Sequence, residues 1–290
     1  AQATFSGMAA LFEPQTGLPV DKATIAADGT VQLVRGNSDF MKTSPTNIGL
    51  GMTSVVIARD HGWITAQEAE ARVTKMIDSL DKMERIQGFW FNWYDLGALD
   101  ETGAPPVTLN EFLSAVDNAN LTASLMVARA AFDGAALADR IQALLDAQDY
   151  TFFYNSTVGL MTHGWDASAN APSPYDYGTF NTEARLLALL GVSDGLPRAV
   201  WDNMSRAVLA YETATDERIL VVAPWGGSLF EALFAGLFMD DVTYAPDSIA
   251  EHSRRIIRVH MEAAAKQGRP IWGWSPRLSP QGTYEEAGVP

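Results

Sequence analysis

Apolar residues recur at helical spacing along most of this chain, and that periodicity limits what it can fold into. Ser44-Pro45-Thr46 opens the first clear stretch, which carries Ile48, Leu50, Met52, Val55 and Val56 and halts at His61-Gly62. Thr65-Ala66-Gln67-Glu68 reads as a capping box for the next. That helix sets Ala69, Val73, Met76, Ile77, Leu80 and Met83 on one side, against Glu70, Lys75, Asp78 and Lys82 on the other. The two form a helical hairpin with a short connection. Gly88 ends it, and Phe89-Trp90-Phe91-Asn92-Trp93-Tyr94-Asp95 is too aromatic and too short for a helix, so an extended segment is expected there. Residues 97–106 read as loop. Helical spacing resumes over 114–132, 134–148, 179–190, 198–211, 228–238 and 248–267. Short connections alternate with long loops rich in Gly, Pro and aromatic residues. Helix hairpins of unequal sequence, with long loops gathered at one end, predict an all-α chain: an α/α toroid with minor β structure in its loops, as one domain over 1–290. A solenoid would need a fixed repeat period, and none is visible.

Composition narrows the function. Of the 290 residues, 47% are apolar and 19% charged, which supports a substantial core and argues against disorder. Twenty basic against thirty-five acidic side chains give a net charge of −15. Such a field repels phosphate backbones and anionic lipid, so neither nucleic acid nor a membrane is an expected partner. No apolar run approaches the roughly 18–20 residues that span a bilayer. With no cysteine, disulfide scaffolds, zinc knuckles and thiol catalysis are excluded. The opening Ala1-Gln2-Ala3 suits a mature protein after signal cleavage, and equally a trimmed chain.

The chemistry-bearing residues point to sugar cleavage. His61, His163, His252 and His260 have no Gly-x-Ser-x-Gly elbow to serve, and no His-Glu-x-x-His, Walker or dinucleotide motif occurs. No metal site or cofactor is expected; His252 and His260 could share a helix face, but a solvated or core-edge role explains them more simply. What remains is carboxylates beside aromatic rings. Two carboxyl groups can protonate a glycosidic oxygen and stabilise the cationic centre left behind, while indole and phenol rings stack on sugar faces. Four clusters qualify. In the first, 110–120, Ser114 caps a helix and puts Asp117 in its first turn, where an acid can simply oppose the helix dipole. In the second, Glu183 follows Tyr175, Tyr177 and Phe180 at a helix start. In the third, Trp225-Gly226-Gly227-Ser228, Glu231 stands three residues beyond Ser228, so a capping acid is the rival reading. The fourth is Trp272-Gly273-Trp274-Ser275-Pro276, with Tyr284 after it.

At these positions the chain resembles the glucoamylase-like family that includes bacterial β-1,2-glucanases and the hydrolase-like module of cyclic β-1,2-glucan synthases. The resemblance runs through 43–50, 88–95, 114–121, Thr182-Glu183-Ala184-Arg185-Leu186, Gly227-Ser228-Leu229-Phe230-Glu231 and Pro270-Ile271-Trp272-Gly273-Trp274-Ser275, and ends near Tyr284 and Gly288-Val289-Pro290. It implies an (α/α)6 barrel with a groove at its loop end, acting on β-linked glucan outside the cytoplasm, in the periplasm or secreted. It implies catalysis at Glu183, with Glu231 and Asp117 as further acids. Glu111, Asn120, Trp90, Trp93, Tyr94, Tyr177, Trp225, Trp272 and Trp274 would then hold the saccharide. Two departures matter. The family carries an acid just after its Trp-Gly-x-Ser motif, where this chain has Pro276. Relatives also continue through further helices beyond 290, which implies a shortened barrel or a missing C-terminal piece. The expected function is therefore hydrolysis of a β-glucan, β-1,2-linked first, with a catalytically silent carbohydrate-binding relative as the alternative. Glu183 is expected to hold its proton near neutrality, through desolvation or a neighbouring acid, and to face a second carboxylate, Glu231 before Asp117. Arg185 should turn away from it.

Overall fold

The computed structural model describes residues 1–97, 106–279, 283–285 and 287–289, which group into two compact units. Most of the loop expected over 97–106, together with Pro290, lies outside the described residues. Helix dominates, and among the described residues no strand exceeds five residues.

The first unit comprises 1–153 and 163–174. Its helices are α1 (Gln2–Ala9), α2 (Pro45–Asp60), α3 (Ala66–Lys82), α4 (Ala115–Ala131) and α5 (Ala136–Asp146). Three start where a hydroxyl satisfies a free backbone donor. Ser44 accepts from Asn47 N–H at 3.2 Å, Thr65 from Glu68 N–H at 3.1 Å and Ser114 from Asp117 N–H at 3.4 Å. α2 packs on both α3 and α4, α4 on α5, and α3 on α5. Gly49 allows the close approach of α2 to α4: a Cβ there would lie 2.8 Å from Ser124 Oγ and 3.0 Å from Leu121 Cα. α4 is the central helix, buried from Ala115 to Leu125 except at Asp117. Its polar residues survive burial by bonding back along the helix, Thr122 and Ser124 each donating 2.9 Å to the carbonyl four residues earlier.

The extended reading of Phe89–Asp95 holds, with strands at Phe89–Trp90 and Tyr94–Asp95. α3 itself ends at Lys82, and Gly88 instead forms a hairpin turn with Gln87, at φ +80° and +51°. A side chain at Gly88 would strike Ala147 O at 2.2 Å.

The second unit comprises 154–162 and 175–290. It holds α6 (Ala184–Ser193), α7 (Ala199–Asp202), α8 (Leu229–Phe234), α9 (Asp241–Tyr244) and α10 (Ile249–Lys266). Two helix expectations need correction. α6 begins at Ala184 rather than at 179. The helix expected over 198–211 is the short α7 followed by an antiparallel hairpin, Val208–Glu212 with Arg218–Val222. Ile219 and Val221 alternate inward against Ile256 and Val259 of α10, and burying one face of the hairpin outweighs the helical spacing of 198–211.

Candidate functional site

In the first unit the expected residues split into a polar cluster and a core. Asp117 sits in the first turn of α4, and its Oδ1 accepts the Thr46 hydroxyl from α2 at 2.5 Å. Asn120 Nδ2 donates to the same hydroxyl at 3.0 Å. An amide nitrogen can only donate, so the Thr46 proton is directed at Asp117. Burial pushes the Asp117 carboxyl above its ordinary value, against the bonds from Ser114 and Thr46 that favour its ionised form. Thr46 was not among the expected site residues; its partners lie 71 and 74 positions away, beyond any local pattern.

The aromatic expectations divide. Trp93 is half-buried, with Lys42 Nζ 4.5 Å above its ring. Trp90 and Tyr94 are corrections: both are fully buried and are core rather than sugar platforms. Asn118 Oδ1 accepts Trp90 N–H at 2.8 Å, and Trp90 Nε1 donates to Leu80 O at 3.2 Å. The Tyr94 hydroxyl donates to Glu84 O. Their buried polar tips are satisfied within the fold, which leaves them nothing to offer a ligand. Glu111 is exposed just before the strand Phe112–Ser114.

The second unit gathers more of the expected set. Glu183 occupies the N-cap position of α6 with helical backbone angles and without capping through its side chain. Arg185 is buried and paired with Asp241, Nη1 to Oδ2 at 3.1 Å. Tyr177 and Trp225 stack, centroids 5.6 Å apart and planes 22° apart, and Trp225 is 51% exposed. The turn after it depends on glycine. Gly227 has φ +67°, and a Cβ there would lie 2.0 Å from Val289 O. Ser228 then caps α8 through Glu231 N–H at 3.5 Å, and Glu231 Oε2 accepts Gly226 N–H at 3.4 Å. Ser228 thus makes its half of a capping box, while the Glu231 carboxylate reaches the N–H two residues before the cap, at the edge of an exposed aromatic turn.

The Trp272–Ser275 segment runs beside that helix start. Leu229 N–H donates to Trp274 O at 2.9 Å and Phe230 N–H to Ser275 Oγ at 3.2 Å. Trp272 is 44% exposed; Trp274 is half-buried, its ring 5.8 Å from that of His260. Residues 269–277 line a cavity of about 520 Å³, with Pro276 in its wall. A second cavity, about 420 Å³, is lined by Phe180, Asn181, Trp201, Arg206 and His252 among others. There the Asn181 and His252 side chains are turned onto the Val222 main chain. Among the described residues no cluster of His, Asp and Glu could hold a metal ion, and no helix is long and apolar enough to cross a membrane.

No family model matches the chain. In sequence, an 85-residue stretch, 29% of the chain, is 36% identical to the cyclic β-(1,2)-glucan synthase NdvB of Rhizobium meliloti, and it spans only 3% of that protein's length. In fold, the chain matches an endo-β-1,2-glucanase from Chitinophaga pinensis, solved with sophorotriose and glucose. The TM-score is 0.75 at 18% identity, over 99% of this chain and 72% of that one. An endo-β-1,2-glucanase mutant from Talaromyces funiculosus, solved with β-1,2-glucan, gives 0.76 at 11% identity, over 99% and 66%. A β-1,2-glucanase from Parabacteroides distasonis gives 0.70 at 14%, over 100% and 45%. The chain thus has the fold of the glucanase group that its ordered motifs resemble.

Proposed function

We propose that this chain is a glycoside-hydrolase module of (α/α)6 type that cleaves a β-linked glucan, β-1,2-glucan first, by carboxylate acid–base chemistry. One observation carries the reading. The second unit combines two carboxylates at helix starts, Glu183 and Glu231, with the stacked Tyr177–Trp225 pair and the open Trp272 ring. Glu183 is the general acid, donating its proton to the leaving glycosidic oxygen. Glu231 is the second carboxylate, receiving a proton from water or attacking the anomeric carbon. Asp117, the other expected acid, lies in the first unit, where burial raises its carboxyl above the ordinary value. A polymeric glucan as substrate fits a periplasmic or secreted location.

Pro276 favours a second reading. It stands where the resembled family carries an acid, and a chain lacking that acid could bind glucan without cleaving it. Reducing-end release from β-1,2-, β-1,3- and β-1,4-glucans, beside calorimetric binding of the same oligosaccharides, separates the two. Cleavage of β-1,2-glucan is expected. Glu183→Gln keeps the shape and removes the titrating proton, so it should abolish release while Kd stays within about threefold. Binding without release by the unaltered protein puts the second reading ahead, and neither binding nor release removes both.

A further inference from the structure

We propose that His260 is the positioning residue that holds the Trp272–Ser275 segment, and through it the start of α8 with Glu231, in saccharide-binding geometry. The inference rests on the reading that this segment meets the glucan. His260 lies on α10 among Ile256, Val259, Ala263 and Ala264, and is itself fully buried. An aliphatic side chain would continue that apolar stripe without desolvating a ring nitrogen. The imidazole does one thing that such a residue cannot: its Nδ1 accepts Trp274 N–H at 3.2 Å.

The direction of that bond fixes the ring. An accepting Nδ1 carries no proton, so the neutral imidazole holds its hydrogen on Nε2. Burial pushes His260 below its ordinary value, against a bond to the Gly227 main chain that favours the charged ring, and so favours the neutral form. The next links are bonds from the first turn of α8. Trp274 O takes Leu229 N–H and Ser275 Oγ takes Phe230 N–H, so the segment caps the first turn of α8 within two residues of Glu231. Val289 N–H meets Gly227 O at 3.0 Å on the turn before it, where side chains at Gly227 or Gly288 would collide with backbone at 2.0 and 1.8 Å. The turn is thus held by main chain and by Glu231, and the Trp274 segment by the His260 side chain, which also bonds the Gly227 main chain.

Two substitutions divide acceptor from bulk. His260→Asn places Oδ1 near the position of Nδ1 and keeps the acceptor. His260→Phe keeps a ring and loses it. Oligosaccharide Kd by calorimetry should weaken about tenfold or more in the Phe variant and stay within about threefold in the Asn variant. The near-ultraviolet circular dichroism of Trp274, assigned by difference against Trp274→Phe, should collapse in the first and persist in the second. Equal loss in both variants, or native affinity and signal in the Phe variant, would overturn the role. The ¹⁵N spectrum of histidine-labelled native protein needs no variant: it should show His260 protonated at Nε2 only, and an Nδ1-protonated ring refutes the proposal. A native protein that binds no glucan refutes the proposed function instead, while the dichroism and tautomer measurements still decide on His260.

Discussion

Asn118 offers a test of why the aromatic segment is core. It is fully buried on α4 and grips the main chain of Trp90 at both ends. Its Oδ1 accepts Trp90 N–H at 2.8 Å, and its Nδ2 donates to Trp90 O at 2.9 Å and Ser114 O at 2.8 Å. Asn118→Ala leaves the Trp90 N–H and C=O buried without this partner, at about 1–3 kcal/mol for each orphaned group. With the small void added, the loss should be about 3–5 kcal/mol, a large share of a typical domain's 5–15 kcal/mol. Asn118→Leu fills the volume and should recover little, since the same two groups stay unpaired. Asn118→Asp keeps the acceptor but turns a carboxylate toward two carbonyls. Its folded value is then raised, so the variant is weakest near neutrality and recovers as pH falls toward the unfolded value of about 3.9. Urea unfolding at neutral and acid pH, with exchange of the Trp90 amide as the local readout, measures all three. An Ala variant within about 1 kcal/mol of native, or an Asp variant with no acid recovery, would refute the accounting.

Three further outcomes follow from the same geometry. Asp117 is raised by burial, so its contribution to stability is fully present below the unfolded value of 3.8 and is lost as pH rises through the higher folded value. Asp117→Asn should therefore match the native melting temperature at about pH 3 and exceed it near neutrality. Thr46→Val keeps the shape but removes the hydroxyl that links Asn120 to Asp117; it should cost about 1–3 kcal/mol and move the Asp117 ¹³C titration upward, since a bond to the ionised form is gone. Trp225→Ala, at a 51% exposed ring, should weaken oligosaccharide binding with stability changed by under about 1 kcal/mol. Trp90→Ala should instead cost about 3–5 kcal/mol, as a core truncation does, and urea unfolding beside calorimetry separates the two.

Four helix starts are legible because their signal is local. Ser44, Thr65, Ser114 and Ser228 each precede a helical stretch by one residue and cap it three residues on. The hairpin at 208–222 was lost because Val208, Leu209 and Tyr211 happen to fit a helical spacing as well. The decisive signal lay downstream, in Ile219-Leu220-Val221, whose in–out alternation against α10 needs the partner strand in view. The aromatic segment failed differently. Its extended shape was readable, but ring type and glycine neighbours do not tell a platform from a core residue. Phe89, Trp90 and Phe91 are all buried because a short hairpin is covered on both sides, so alternation gives no help.

The same limit governs the candidate site, where function depends on which groups a side chain reaches rather than on its type. Pro276 makes the point in the second unit. It brings neither a carboxyl nor an N–H, and it follows a serine whose hydroxyl accepts from Phe230 N–H. In this chain the segment therefore works by shape: it caps the helix that bears Glu231 and presents the Trp272 ring, with His260 behind it. Proton transfer in the proposed reaction falls to residues outside the segment. Glu231 lies at a helix N-terminus and accepts Gly226 N–H, surroundings that suit negative charge and hence the second carboxylate's part. Glu183, at the start of α6, takes the acid's part in that proposal. The division of labour predicts a sharp asymmetry. Glu231→Gln leaves the proton donor in place and removes the group that activates water or attacks the sugar. Substrates with an activated leaving group bypass the need for acid, so with them Glu183→Gln should regain turnover and Glu231→Gln should not. Recovery by the Glu231 variant alone would reverse the two assignments.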